Sequence, residues 1–233
     1  MPPSDIAVRD FLHNLALFNG LPNGAIDRLA AASSVVRAPT GTTLFSRGDA
    51  CAGVHVIVYG LVKLAVTSRA GSEKVIDILG PGQSLGESFI FFERPHIGFA
   101  ETIADSLLVF IGKSAILREV EVTSALARSM LSRLAERVQR YAADLEADAL
   151  AGGAGRLATF LLTQTEERDP ADGALELQLP VCKTVLASRL SVTREHLSRL
   201  LRQLTEKHLI EVRGRQVRIN DIARLREFAH QMR

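Results

Sequence analysis

Between Leu186 and Leu204, serines, arginines and one glutamate are interleaved with leucines. Leu197, Leu200, Leu201 and Leu204 recur in steps of three and four, the spacing of an apolar helix face. Residues two positions away point roughly 200° around a 3.6-residue helix, so Glu195 and Arg199 project opposite Leu197. Arg194, Ser198 and Arg202 flank them. The chemistry on offer is that of base edges. A guanidinium donates to guanine O6 and N7, a carboxylate accepts from cytosine N4, and a serine hydroxyl contacts several edges. Thr193 stands where an N-cap hydroxyl takes up an orphan backbone N–H. The segment before it supplies a shorter helix and a tight turn, and such a pair suits a DNA major groove. The alternative for Glu195 and Arg199 is an i,i+4 ion pair on an exposed helix face.

Lys207 to Ile219 alternates apolar and polar residues around Gly214, which predicts a β-hairpin with Arg213 and Arg215 at its tip. Such a wing can clamp phosphates. From Lys183 to Arg218 nine basic residues stand against three acidic ones, while the whole chain carries a formal charge of only +2. Basicity is therefore concentrated on this module, as attraction to phosphates requires, and Lys183 at its start joins the candidate contacts.

The elements that must position these residues come from the rest of the chain. With 233 residues and 47% hydrophobic content it can bury a core in one large or two ordinary domains. No apolar run approaches a membrane span, and Met1-Pro-Pro-Ser-Asp-Ile6 lacks the pattern of a secretory signal, so a cytoplasmic protein is expected. Cys51 and Cys182 are far apart, which leaves no disulfide framework and no four-cysteine zinc or iron–sulfur site. No Ser/His/Asp order, metal-ligand spacing or phosphate loop stands out, so an enzyme is not expected.

Glycines from Gly41 to Gly86 punctuate short β-rich runs, Val54–Tyr59, Leu61–Val66 and Lys74–Leu79, which predicts an antiparallel barrel or jelly roll. Two short helices, about 6–17 and 24–32, precede it. A stretch free of Gly and Pro, roughly Ser114 to Ala147, predicts one long helix. Within it Ala127, Leu131, Leu134, Val138, Tyr141 and Leu145 form a seam flanked by charges, which predicts a coiled coil between two copies of the chain. Gly152-Gly-Ala-Gly155 breaks the pattern and is expected to act as a hinge. The expected fold class is α+β, with a β-barrel sensor or effector domain at 1–113, a dimerisation helix at 114–148 and a winged helix-turn-helix at 149–233.

This order, with Gly41-Thr-Thr-Leu-Phe-Ser-Arg-Gly-Asp49, Tyr59-Gly-Leu-Val-Lys-Leu64, Gly82-Gln-Ser-Leu-Gly-Glu87 and Thr193-Arg-Glu-His-Leu-Ser-Arg199, resembles the CRP/FNR superfamily of bacterial transcription regulators. The resemblance covers about 18–228. It implies a cyclic-nucleotide-binding-type jelly roll, a long dimerisation helix and a winged helix-turn-helix. It also implies a homodimeric activator that partners double-stranded DNA and RNA polymerase and reads a palindromic site. Glu195 and Arg199 match the family's shared base-reading positions. Glu195, Ser198 and Arg199 match the FNR-type triplet, and Arg194 resembles the arginine of the CRP-type reader.

The effector site departs from the family pattern. Cyclic-AMP receptors follow Gly-Glu with an Arg-Ser or Arg-Thr pair that neutralises the cyclic phosphate, and a buried anion needs such a partner. Here Gly86-Glu87 is present, but Pro95–Glu101 carries isoleucine, glycine and phenylalanine instead, and Arg94 comes too early. Cyclic AMP is therefore not expected to be the effector. The FNR iron–sulfur cysteines are absent as well. An apolar pocket drawn from Phe89, Phe91, Phe92 and Phe99 is expected, with Gly86, Glu87 and His96 at its edge. The nearest branch in character is DNR, whose members respond to nitric oxide through haem, and His96, His55 and His13 have the chemistry to ligate haem iron. Each also suits an ordinary surface or hydrogen-bonded histidine. Cys182, just before the first helix of the reading motif, is a candidate redox switch: a helix N-terminus and Lys183 favour its thiolate, and oxidation there would disturb phosphate contact. A packing role is the simpler alternative.

Overall fold

Alternating apolar residues between glycine turns build eight strands: β1 (Ser33–Ala38), β2 (Thr43–Phe45), β3 (Gly53–Tyr59), β4 (Val62–Thr67), β5 (Glu73–Leu79), β6 (Ser84–Leu85), β7 (Phe99–Thr102) and β8 (Ser106–Gly112). They pair antiparallel in two four-stranded sheets, ordered β1-β8-β3-β6 and β2-β7-β4-β5. The computed structural model describes residues 7–92, 94–166, 175–179, 182–214 and 216–232. It divides into two compact units, Met1–Val138 and Gln139–Arg233.

The two-residue period of a strand sends neighbours on β8 to opposite faces. Leu108 joins Ile57, Val62, Leu79, Leu85 and Ala100 between the sheets. Val109 and Ile111 face the other way and pack with α1 (Val8–His13) and α2 (Asn23–Ala31) around Leu12, Phe18, Ile26 and Leu29. A four-residue helix, α3 (Glu87–Ile90), follows β6.

The helix expected from Ser114 to Ala147 is two helices, α4 (Lys113–Val122) and α5 (Ser124–Leu150). The break falls at Thr123, which is extended at φ −123° and ψ 96°. Its hydroxyl donates to Glu119 Oε1 at 2.5 Å, and Arg28 of α2 grips the same carboxylate at 2.9 and 3.0 Å. A β-branched run and a hydroxyl that finds a side-chain partner both weaken helix continuation. The hydrogen bond from Arg28 holds the Glu119 carboxyl below its usual value.

α5 divides its faces. Leu126 and Met130 are buried against the barrel unit, and Ser129 donates to Leu17 O at 2.7 Å. Leu131, Val138 and Leu145, seven residues apart, are 66, 63 and 71% exposed, while Leu134 and Tyr141 are half-buried.

The second unit continues with α6 (Gly153–Glu166), β9 (Leu175–Gln178), α7 (Lys183–Arg189), α8 (Arg194–Glu206), β10 (Ile210–Arg213), β11 (Gln216–Ile219) and α9 (Ile222–Gln231). Its sheet is antiparallel, in the order β10-β11-β9. Leu157, Leu161, Leu186, Leu197, Leu204, Ile210, Val217 and Leu225 fill its core. The α+β architecture expected from the sequence, a jelly roll followed by helices and a winged helix-turn-helix, is the one found. No described helix is long and apolar enough to cross a membrane.

Candidate functional site

α7 and α8 are joined by Leu190–Thr193, with Ser191 in the left-handed region at φ +55°. Thr193 caps α8, its hydroxyl accepting from His196 N at 3.1 Å. Leu197, Leu200, Leu201 and Leu204 are all buried, as their spacing predicts. The opposite face is open. Arg194, Glu195, Ser198, Arg199 and Arg202 are exposed.

The ion pair on this helix is Arg202 with Glu206, at 2.9 Å, and not Glu195 with Arg199. Arg194, Glu195 and Arg199 have no side-chain partner among the described residues, so their donors and acceptor remain available. Ser198 is less free, because its hydroxyl donates back to Arg194 O at 3.1 Å. Lys183 is the first residue of α7 and exposed. Cys182 precedes it as an exposed N-cap whose thiol makes no capping bond.

β10 and β11 form the hairpin expected around Gly214, with Arg213 opposite Gln216. Arg213 is exposed, 3.6 Å from Glu211. Arg215 lies outside the described residues. A capped helix, an arginine-bearing wing and a basic surrounding together form a surface suited to a DNA duplex.

The barrel holds a second cluster. Gly86, at φ +102°, caps α3, and a Cβ there would meet Gly53 O at 2.5 Å, so the close approach of β3 admits only glycine. Glu87 is buried. Its Oε1 accepts from Ser84 Oγ at 2.9 Å and pairs with Arg137 of α5 at 3.0 Å, and the same Arg137 nitrogen donates to Ser84 O at 2.8 Å. Glu87 Oε2 is sealed from solvent without a partner.

His96 is buried. Its ring stacks on Phe45 at 3.9 Å and leans on Phe89 at 4.6 Å, while its backbone N–H donates to Asp49 O at 2.9 Å. The structure thus gathers Gly86, Glu87, Phe89 and His96. The expected aromatic pocket is otherwise corrected: Phe91 and Phe92 are exposed, and Phe99 lies under the Lys63 ammonium at 5.4 Å. α3 ends at Ile90, so of these phenylalanines only Phe89 lies on it, while Phe91 and Phe92 follow its last turn. Ile97 is 71% exposed and Arg94 is exposed too, so neither occupies the barrel interior.

His55 packs against Phe110 at 4.8 Å, whereas His13 ends α1 on the surface. The Nδ1 atoms of His55 and His96 are both sealed without a hydrogen-bond partner, so neither is presented to a porphyrin from that side. The described residues contain no group of three His, Cys, Asp or Glu side chains able to hold a metal ion. Sequence reasoning missed Arg137 and Ser84. Arg137 looked like one of several flanking charges on α5, and no local pattern marks which of them reaches a buried carboxylate.

A winged helix-turn-helix behind a jelly roll with a buried Gly-Glu corner defines a DNA-binding regulator with a cyclic-nucleotide-binding-type domain. Residues 35–122 match the cyclic nucleotide-binding domain, and residues 155–228 match the Crp-like helix-turn-helix domain. The chain is 26% identical over 217 residues to a CRP-like cAMP-activated global transcriptional regulator of Mycobacterium tuberculosis, covering 93% of this chain and 97% of the relative. Two solved structures are similar. FixK2 from Bradyrhizobium japonicum has a TM-score of 0.76 at 20% identity, covering 84% of this chain and 96% of that one, a likeness of fold. DNR from Pseudomonas aeruginosa has a TM-score of 0.51 at 25% identity, covering 97% and 99%. The chain belongs to the CRP/FNR superfamily and is a transcription regulator with a helix-turn-helix DNA-binding domain.

Burial pushes the His55 imidazole down to about 4, the neighbouring His96 adding to the effect, and burial lowers His96 as well. In the unfolded chain an imidazole titrates near 6.5, so between these values the unfolded state holds more protons than the folded one. His55 therefore contributes stability that is complete above about pH 6.5 and lost as pH falls toward 4, a change of at most about 3 kcal/mol. Urea unfolding of the barrel at pH 7 and pH 4.5 should show this loss, and His55→Gln should flatten it. An unchanged slope in that variant would assign the acid sensitivity elsewhere.

Proposed function

We propose that the chain acts as a homodimer paired along α5, each protomer laying α8 into a major groove of a palindromic site, with the barrel controlling that act. The observation that carries this reading is α8 itself. Its leucine face is buried and its cap is made, while Arg194, Glu195 and Arg199 stand exposed on the opposite side, without partners among the described residues. Arg199 forks onto guanine, Glu195 accepts from cytosine on the other strand, and Arg194 and Ser198 contact neighbouring edges or phosphates. Lys183, Arg213 and Arg215 hold the phosphate backbone.

Pairing along α5 follows from its stripe. Leu131, Val138 and Leu145 recur every seven residues and lie exposed, the pattern of a two-stranded seam, with Leu134 and Tyr141 beside them. Two-fold symmetry of such a pair matches a palindrome with half-sites about one helical turn apart. The regulator works in the cytoplasm as an activator that contacts RNA polymerase.

The Mycobacterium tuberculosis relative is described as cAMP-activated. A different effector is proposed here. A cyclic phosphate buried in the barrel needs a cation, Ile97 stands on the loop where the family places it, and Arg137 is already committed to Glu87 and Ser84 O. Cyclic AMP should leave the melting temperature unchanged, because only a ligand that binds the folded state raises it. A clear upward shift near cellular concentrations would show that another donor neutralises the phosphate.

Arg199→Ala should cost roughly 1–3 kcal/mol on the specific site and flatten discrimination at the guanine. Arg213→Ala should instead weaken all sequences alike and reduce the salt slope by about one unit. Binding isotherms on operator and scrambled duplexes at two salt concentrations separate the roles. Equal loss on both duplexes for Arg199→Ala would make it a phosphate clamp. Val138→Arg should place a charge in the seam and turn the sedimenting species from dimer to monomer. If wild type is itself a monomer at micromolar concentration, α5 is not the pairing element.

A further inference from the structure

The residues that hold the reading pair in place are not those that face DNA. Arg189 ends α7 and is largely buried, with 13% of its side chain exposed, and its guanidinium pairs with the Asp144 carboxylate of α5. The next carbonyl, Leu190 O, belongs to the turn before α8 and accepts from Arg156 Nε at 3.0 Å. Arg156 Nη1 donates at 2.7 Å to Ala151 O, just past the end of α5. Carbonyls at a helix C-terminus lack intrahelical donors, and a planar guanidinium bonds two acceptors in fixed directions. Arg156 therefore joins the end of α5 to the turn of the reading motif.

In the glycine segment expected to be a hinge, Gly153 and Gly155 are closely packed instead. A Cβ on Gly153 would lie 3.0 Å from Leu200 Cδ1, and one on Gly155 would lie 2.9 Å from Met232 Cβ and 3.2 Å from Ala151 Cβ. Gly152 N donates to Met232 O at 3.3 Å. Here glycine serves close approach: α6 begins against α8 and against the end of α9. All these groups belong to the compact unit Gln139–Arg233, so the last turns of α5 and the reading pair are parts of one body.

We propose that Arg189 and Arg156 are positioning residues for DNA reading: tied to Asp144 and Ala151 O, they set the angle between α5 and α8 and thereby the half-site spacing that the protein accepts. The inference rests on the proposed dimer reading a palindrome. Once two copies of α5 pair, the angle at which each α8 departs fixes the separation and rotation of the two reading helices. One inserted base pair turns the second half-site by about 35° and moves it by about 3.4 Å, so a fixed angle rejects it and a loosened one tolerates it.

The test measures binding to palindromes whose central spacer is native, one base pair shorter or one longer, and to an isolated half-site. Wild type should favour one spacing by roughly tenfold or more, the scale of one mismatched base pair. Asp144→Asn should keep half-site affinity but lose most of that spacing preference. The exchange Asp144→Arg with Arg189→Asp should restore it. Arg156→Lys keeps the charge but cannot bond both carbonyls, and it should relax spacing in the same way. Full spacing discrimination in Asp144→Asn and Arg156→Lys overturns the proposal. So does an equal loss on the half-site and on every palindrome together with a lowered melting point, since that marks a merely structural role. A wild type that binds half-site and palindrome equally is a different failure. It removes the dimeric reading itself, and the proposal falls with it.

Discussion

A long helix in water is stable only if its faces are used, and that constraint on α5 governs the rest of the molecule. Twenty-seven residues of helix cannot rely on propensity alone. α5 buries Leu126 and Met130 in the core of the barrel unit and sends Arg137 to a buried carboxylate. It presents Leu131, Val138 and Leu145 outward, where an apolar stripe costs solubility unless a second helix covers it. Its last turns are held by Arg189 and Arg156 of the DNA-binding unit. Within the first unit α5 meets the barrel corner, and within the second its last turns meet the reading motif.

The reading helix solves a related problem on a smaller scale. A base-reading surface must be polar, rigid and unpaired, conditions that conflict on an isolated helix, where side chains ion-pair with one another. α8 separates them. Four buried leucines and the Thr193 cap supply rigidity, and the ion pair of Arg202 with Glu206 near the C-terminal end leaves Glu195 and Arg199 uncommitted among the described residues. The wing adds positive charge without adding to the base-facing surface. On the proposed reading, affinity from phosphates and discrimination from bases are carried by different elements.

The Gly86-Glu87 corner of the barrel is held by a small set of polar contacts. Glu87 is anchored through one oxygen by Ser84 and Arg137, and the second oxygen is buried and unsatisfied. In the same barrel unit the imidazoles of His55 and His96 are packed against aromatic rings, and burial lowers the pKa of both. The same burial that keeps His55 neutral at physiological pH couples the integrity of the barrel to acidity.

Features governed by local rules were legible in the sequence. The leucine spacing of α8, the Thr193 cap, the hairpin around Gly214 and the glycine-punctuated strands depend on periodicity and backbone preference over fewer than about a dozen residues. Tertiary structure decided the rest, because each remaining feature depends on a partner distant in sequence. The break at Thr123 needed Glu119 and Arg28, 91 residues apart. Arg137 became the partner of Glu87, while neighbouring arginines of similar spacing did not. Phe91 and Phe92 lie exposed past the end of α3, which stops at Ile90. Gly152 to Gly155, read along the chain, look like freedom. Gly153 and Gly155 are instead closely packed, against Leu200 and Met232, and glycine suits either case, so sequence alone could not distinguish a hinge from a joint.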